Sequence, residues 1–290
     1  MPCLNSKLTS LHSLSIVVQI TAMPMHKNRA KSILKQGGTI LGTSVTDYVA
    51  TEVVPTIKAA GLDFFFLDAE HATASYRDIQ NLARTAKAMD ITPIVRVTQT
   101  EGHLISRTLD CGAMGIVAPR VHSVKQAQSV VDNMKFPPMG TRGYGLRSII
   151  HDYDFAGAEA EMESSNEETM VVLQMESKQC VEAIYDITAI PGVDATMVGP
   201  FDLSVSLGIP GDFENPIFWA AFDRMVDACI KNGVAPGVHM GNTTMLRRAQ
   251  EHGARYLVVG SDLSMMLKGW KEARTDIPTE EVVQTGQGYM

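Results

Sequence analysis

The sequence predicts an α/β fold, a TIM (β/α)8 barrel. Three observations carry that expectation. Short apolar runs recur along the chain without alternating polar positions, which is how parallel strands buried on both faces read. Most runs are followed by a segment of helical spacing, several with a glycine stop, as at Gly61, Gly112, Gly233 and Gly253. Eight such strand–helix units fit into 290 residues, an ordinary size for one barrel. A doubly wound sheet is the main alternative, but it would more often stop near six strands.

Periodic structure begins with a helix at about 26–36. TILGTSV (39–45) is the first strand, followed by a helix over 49–60. DFFFLDAE (63–70) is the second strand, with its helix over 76–88. PIVRV (93–97) is the third, with a short helix over 102–110. GIVAPR (115–120) is the fourth, with a helix over 123–134. VVLQME (171–176) and ATMVGP (195–200) are the fifth and sixth, joined by a helix over 177–190. A helix over 219–231, a seventh strand (234–240) and a helix over 244–251 follow. YLVVG (256–260) is the eighth strand, and a last helix covers 264–273. The acidic segment 156–168 reads as a solvent-facing loop or helix.

Composition narrows the function. A hydrophobic share of 45% and a charged share of 20% describe an ordinary globule. A net charge of -7 argues against a nucleic-acid surface, and no apolar stretch reaches transmembrane length. The four cysteines have no ligand-like spacing and suit reduced thiols of a cytoplasmic protein. Residues 1–25 are rich in Ser, Thr and Leu, and no acidic residue precedes Asp47. They are expected to be a disordered extension or a weak leader. The barrel is expected over 26–275 and a tail over 276–290.

Functional groups in this fold belong at the C-terminal ends of strands. Glu176 and Asp202 end the fifth and sixth strands, and a right-handed crossover puts those ends side by side. Two hard oxygen ligands there suit Mg2+ or Mn2+; the alternative is a pair of helix caps or solvent-facing carboxylates. Strand two delivers Asp68, Glu70 and His71; strand three, Arg96; strand four, Arg120; strand five, Gln174 as well; strand seven, His239; strand eight, Gly260, Ser261 and Asp262. Arg96 lies among Ile94, Val95 and Val97, where an unpaired charge is expensive. It either grips a carboxylate or enolate oxygen through its planar fork, or forms an interior salt bridge to Glu70 or Glu176. FPPMGTRGY (136–144) holds two prolines, two glycines and one cation, Arg142. It could bind an anion, cover the site, or be a surface turn. No lysine sits clearly at a strand end, which disfavours Schiff-base chemistry, and no GxGxxG motif supports a dinucleotide site.

These residues stand in longer motifs: LDAEH (67–71), PIVRV (93–97), LDCGAMGIVAPRV (109–121), KFPPMGTRGYG (135–145), QMES (174–177), GVDATMVGPFDLSVSLGIPG (192–211) and GARYLVVGSDLSMM (253–266). In this order they resemble the HpcH/HpaI aldolase family, metal-dependent pyruvate aldolases that include 2,4-dihydroxyhept-2-ene-1,7-dioate aldolase and 2-keto-3-deoxyglucarate aldolase. The resemblance spans about 27–270 and implies a barrel of the phosphoenolpyruvate/pyruvate type. It implies a class II aldolase that cleaves or forms 4-hydroxy-2-oxo acids through a pyruvate enolate, releasing pyruvate and an aldehyde. A related metal-enolate enzyme is the alternative: an oxaloacetate decarboxylase, a citramalyl-type lyase or a macrophomate-synthase-like enzyme. The implied cofactor is a divalent cation, Mg2+, Mn2+ or Co2+.

By the same resemblance, Glu176 and Asp202 hold the metal, and Arg96 contacts the pyruvyl oxygen. His71 is the general base, with Asp110 as its acidic partner. Gln174 lies beside the substrate, and Gly199, Pro200, Phe201 and Asp202 cradle its carboxylate. Asp68 and Glu70 support the histidine and the metal's waters. Ser44 and Phe64 or Phe65 stand where many members carry tryptophans, which implies an altered far wall of the pocket. His239 and Met240 replace smaller residues and imply a different acceptor aldehyde. Family members form hexamers, often trimers of dimers, with the last helix on a neighbour; Leu263, Met265, Met266 and Trp270 give that helix extra apolar surface.

Overall fold

The computed structural model describes residues 25–145 and 157–277. Eight parallel strands close into a barrel in sequence order: β1 (Ile40–Val45), β2 (Phe64–Asp68), β3 (Thr92–Arg96), β4 (Gly115–Ala118), β5 (Met170–Met175), β6 (Ala195–Val198), β7 (Gly237–Met240) and β8 (Tyr256–Ser261). The last strand pairs with the first, Ile40 opposite Tyr256. Helices α2 (Val53–Ala59), α3 (Tyr76–Ala88), α4 (Gly102–Asp110), α5 (Val124–Met134), α10 (Pro216–Asn232) and α11 (Thr243–Glu251) return the chain between strands. The predicted (β/α)8 architecture is the observed one, and α3 and α4 span the predicted residues.

Strand side chains alternate between the barrel interior and the helix layer. Phe64, Phe66, Ile94, Val117, Met170, Val172, Met197 and Val258 form one buried cluster inside the barrel. Phe65, Leu67 and Val95 pack outward with α2 and α3 residues such as Ile57 and Leu82. Two residues on from each inner position, the same column reaches the C-terminal mouth. Phe66 leads to Asp68, Ile94 to Arg96, and Val172 to Gln174 and then Glu176. Apolar columns below thus dictate which polar groups enter the mouth above.

The opposite end is closed. Helix α1 (Arg29–Lys35) lies under the barrel, capped by the Asn28 side chain, which accepts the Lys31 N–H. Asn28 also donates through Nδ2 to the carbonyls of Met114 and Glu168, both at 2.9 Å. Helix α6 (Ala158–Glu168) was expected to face solvent, yet Glu161, Ser165 and Glu168 are buried in it. The cause is the plug: Glu168 Oε2 accepts the Asn28 N–H at 2.6 Å.

Three other expectations need correction. The helix predicted over 177–190 is two short pieces, α7 (Lys178–Glu182) and α8 (Ile184–Thr188), separated at Ala183. A short helix after β6, α9 (Pro200–Ser206), was not anticipated; Pro200 opens it with its fixed φ. The last helix, α12 (Asp262–Asp276), is longer than predicted. The expected extension over 1–25 and tail over 276–290 lie outside the described residues, except Met25, Asp276 and Ile277.

Two lysines sit in the plug. Lys135 Nζ donates to the Asn166 carbonyl (2.8 Å), the Thr169 carbonyl (2.7 Å) and Thr169 Oγ1 (3.1 Å). Lys31 Nζ donates to the same Thr169 carbonyl at 2.7 Å and pairs with Asp194 at 3.0 Å. Burial first, then the Lys31 charge, push the Lys135 ammonium down to about 7. The unfolded chain keeps that proton to about 10.4. Between those values the unfolded state binds more protons, so this group makes stability rise with pH, by up to about 1.4 kcal/mol per pH unit. Below about pH 7 both states are charged and the slope vanishes. Urea unfolding at pH 7, 8 and 9 should show the slope in the wild type and its loss in Lys135→Met. Equal slopes in both proteins would remove Lys135 as the cause.

Candidate active site

Asp68 and Arg96 end adjacent strands in direct register. Arg96 Nε donates to Asp68 Oδ1 at 3.0 Å and Nη2 to Oδ2 at 2.6 Å, a two-pronged pair. The buried charge is therefore paired, chiefly with Asp68. Glu70 Oε2 lies 3.4 Å from Arg96 Nε, and Nη1 reaches Gln174 Oε1 at 3.4 Å. The salt bridge expected to Glu70 or Glu176 thus involves Glu70 as the second carboxylate. Burial alone would raise the Asp68 pKa, but the Arg96 bonds and charge and two backbone N–H groups outweigh it and hold the carboxyl below its usual value. Those N–H groups belong to Glu70 (2.9 Å) and His71 (3.2 Å). One carboxylate thus folds the end of β2 into the turn that presents Glu70 and His71.

Glu176 is buried beyond the end of β5. Its Oε1 accepts the Arg120 N–H at 2.6 Å, and its Oε2 accepts from Gln174 Nε2. A Cβ at position 199 would lie 2.9 Å from Glu176 Oε2 and 3.1 Å from Gln174 Nε2, so glycine there leaves these side-chain ends where they are, while a larger residue would displace them. Asp202 follows in the first turn of α9 and is exposed, as is Phe201, whose ring meets Phe213 edge-on at 5.0 Å. Glu70, His71, Arg120, His122, Glu176 and Asp202 line one cavity of about 430 Å3 at the mouth.

Two groups in that cavity had no assigned role in the sequence. Arg120 has φ +55°, left-handed backbone that costs a non-glycine residue on the order of 1–3 kcal/mol. That conformation accompanies its N–H bond to Glu176, while its Nη2 pairs with Glu70 Oε1 at 2.6 Å. His122 Nδ1 lies 2.8 Å from Ser177 Oγ. Their position just past β4, in APRVH, was the available signal.

His71 lies at the mouth, its side chain 61% exposed, with Nε2 3.7 Å from Glu70 Oε2. Asp110 is not beside it within this chain. Helix α4 runs back from the mouth, so its last residue lies at the plugged end, near where the Met114 N–H bonds the Pro93 carbonyl at the start of β3. There Asp110 Oδ1 accepts from Arg142 Nη2 at 2.6 Å. The partnership of Asp110 with His71 implied by the resemblance is therefore not made within one chain, and this chain direction is the reason. The same pair places FPPMGTRGY away from the site: Arg142 is buried, neutralised by Asp110 and stacked on Phe136 at 4.7 Å. The loop does not cover the mouth. Phe64 and Phe65 open β2 at the plugged end, so they do not shape the mouth either. His239 Nε2 meets the Gly260 carbonyl at 2.9 Å, and its ring is edge-on to Phe66; burial lowers its pKa and favours the neutral ring. Asp262 holds the N–H groups of Thr46, Asp47 and Tyr48, anchoring the loop after β1.

The donor set fits a divalent cation. Burial first, with Asp202 and Glu70 as like-charged neighbours, raises the Glu176 pKa against the pull of Gln174 and the Arg120 N–H. A cation would relieve that repulsion, and carboxylate oxygens are the hard ligands Mg2+ and Mn2+ take. Among the described residues no group of three or more His, Cys, Asp or Glu side chains forms a metal cage. Glu176 and Asp202 line the same cavity.

A closed parallel barrel with charged groups gathered at its C-terminal mouth has the architecture of a barrel enzyme. The chain belongs to the HpcH/HpaI aldolase/citrate lyase family: the family's model matches residues 49–268, which contain every candidate site residue. Membership makes it an enzyme of the aldolase/lyase kind. It is 30% identical over 251 residues to a hydroxypyruvate/pyruvate aldolase of Roseobacter denitrificans, covering 86% of this chain and 96% of the relative. A 2-dehydro-3,6-dideoxy-6-sulfogluconate aldolase of Pseudomonas putida is 30% identical, with 81% and 91% covered. The crystal structure of an HpcH/HpaI aldolase from Desulfitobacterium hafniense superposes with a TM-score of 0.81 at 32% identity, covering 87% of this chain and 98% of that one. No helix among the described residues is long and apolar enough to cross a membrane.

The Asp68–Arg96 pair yields a stability prediction. Arg96→Met strands a buried carboxylate and should cost about 3–5 kcal/mol, as should Asp68→Leu in the reverse sense. The double variant should cost clearly less than the sum. Denaturant unfolding of the four proteins measures the coupling, and strict additivity would mean the two side chains do not support each other.

Proposed function

We propose that the protein is a divalent-metal-dependent pyruvate aldolase, a carbon–carbon lyase acting on 4-hydroxy-2-oxo acids. The observation that carries this reading is the meeting of Glu176, Asp202 and His71 in one cavity, with Arg96 and Gln174 at the same barrel mouth. The names of the related aldolases support it. Glu176 and Asp202 would hold the cation, Mg2+, Mn2+ or Co2+, which when bound supplies positive charge that polarises the keto oxygen.

The chain's own groups do the rest. Arg96, fixed by Asp68, presents its Nη1 side toward the keto oxygen and opposes the negative charge that develops there. Gln174 keeps Arg96 and Glu176 in place by bonding both. Gly199, Pro200, Phe201 and Asp202 form the segment against which the substrate carboxylate lies. In cleavage His71 accepts the C4 hydroxyl proton through a water, consistent with its exposed ring; the C3–C4 bond breaks, its electron pair passes into the pyruvate enolate, the aldehyde leaves, and the proton held by His71 is delivered to C3 to complete pyruvate. In the reverse direction C3 loses a proton to His71, the enolate carbon adds to the aldehyde carbon, and the new alkoxide takes that proton. Glu70 is the carboxylate beside the His71 ring in this chain, and Asp110, paired with Arg142, would serve His71 from another copy.

The test is pyruvate release from a panel of 4-hydroxy-2-oxo acids, with oxaloacetate alongside, in added Mg2+, Mn2+ or Co2+. Cleavage of at least one hydroxy acid is expected, with loss of most activity and Mn2+ affinity in Glu176→Ala and Asp202→Ala. Release from oxaloacetate alone would make the protein a decarboxylase, and wild-type behaviour of both variants would remove the metal assignment.

The assembly we propose is a homo-hexamer, a trimer of dimers, in which α12 of one copy covers a neighbour. Along α12 only Asp262 is buried, while Leu263, Leu267 and Trp270 are 46%, 43% and 59% exposed. An apolar groove of about 580 Å3, lined by Val53, Ile57, Leu62 and Met265 among others, lies beside it. Apolar surface on both the helix and the groove favours burial between copies. Light scattering should give a hexamer, and a monomer at micromolar concentration would overturn it. The free thiols of Cys111, Cys180 and Cys229 support a reducing, cytoplasmic location.

A further inference from the structure

We infer that the floor of the barrel carries a second ligand site, remote from the mouth, for a small organic acid with one carboxylate and an apolar body. The site is a cavity of about 630 Å3 walled by α1, α6 and the loop that begins at Phe136, larger than the cavity at the mouth. It does not depend on the reaction catalysed and so goes beyond the aldolase reading.

Charge decides what the deep end accepts. Lys31 and Lys135 are buried there and donate to the same Thr169 carbonyl, so two ammonium groups crowd one oxygen. Among the described residues the carboxylate paired with them is Asp194, 3.0 Å from Lys31. With both lysines charged the cluster has one positive charge in excess, which is costly where water is scarce. Burial first, and then the Lys31 charge, accordingly push the Lys135 ammonium down to about 7. A single anion in the cavity would offset that excess. Donors remain for it, since an ammonium has three N–H groups. Structural bonds use all three of Lys135 but only two of Lys31, one to Thr169 and one to Asp194. Lys35, one turn along α1, adds an exposed ammonium to the same wall.

The remaining walls narrow the choice. Leu34, Pro137, Pro138, Met139, Val193 and Ala235 offer apolar surface, which suits a hydrocarbon body behind the carboxylate. Glu163 and Glu167 on α6 stand exposed at the rim, opposite in sign to the deep end. They would repel a second anionic group. A monocarboxylate therefore fits better than a dicarboxylate or a phosphate dianion.

Calorimetric titration of the full-length protein with 4-phenylbutanoate, 4-phenylbutan-1-ol and succinate tests this. At pH 7 the monocarboxylate should bind at least about tenfold more tightly than either other probe, the range of one charge-assisted hydrogen bond. Lys135→Met removes the excess charge and should bring acid and alcohol close to equal. Lys35→Met, at an exposed position, should weaken the acid and leave the alcohol unchanged. In the wild type the acid should bind less tightly as pH rises from 7 to 9. The bound anion favours the charged form of Lys135, so binding takes up a proton that becomes scarcer. That pH dependence should be absent in Lys135→Met. A wild type that binds none of the probes, prefers succinate or does not distinguish acid from alcohol overturns the inference. So does a preference for the acid that survives both substitutions, because the acid then binds elsewhere. None of these outcomes touches the aldolase reading, which pyruvate release tests separately.

Discussion

The two-pronged bond between Asp68 and Arg96 underlies the mouth of this barrel. Parallel register places the two residues side by side, and either charge left unpaired in that environment would be costly. Once paired, Asp68 has oxygen capacity left for the N–H groups of Glu70 and His71, so the pair also shapes the β2 turn. Glu70 then comes to lie between Arg96 and Arg120, and Arg120 in turn bonds Glu176 through its main chain. A chain of charge-assisted contacts thus runs from strand two to strand five across the mouth.

This network works because the rest of the barrel confines polarity to one end. Inside, aromatic and aliphatic residues fill the lower layers, and below them α1 closes the floor with Asn28 and Lys31. Substrate can reach the interior polar groups only from above. The floor has charges of its own, but Lys31 and Lys135 spend their donors on Thr169 and neighbouring carbonyls, a structural use.

Chain direction separates the roles of the two ends. Helices return downward, so residues at helix C-termini, such as Asp110, join the floor, where Arg142 and Phe136 receive them. Residues at strand ends join the mouth. Glu176 and Asp202 line one cavity there, and glycine at 199 leaves room for the Gln174 and Glu176 side chains beside β6. The resulting excess of negative charge is what a divalent cation would balance.

The sequence by itself determined the eight-fold alternation of strand and helix, since buried parallel strands read as unbroken apolar runs and glycines mark many helix ends. It also determined that Asp68, Glu70, His71, Arg96, Gln174, Glu176 and Asp202 belong to the mouth, because each lies just at or past the end of such a run. Tertiary structure decided who pairs with whom. Arg96 is bound mainly by Asp68, because strand register, invisible in a single sequence, sets them opposite each other. Asp110 goes to Arg142, because the direction of α4 outweighs its closeness to strand three in sequence. Arg120, already placed at the mouth by the end of strand four, enters the cavity with His122 through a left-handed backbone step that the sequence did not announce. Local periodicity records which face of an element is buried; partner choice depends on register and chain direction, which exist only once the barrel closes.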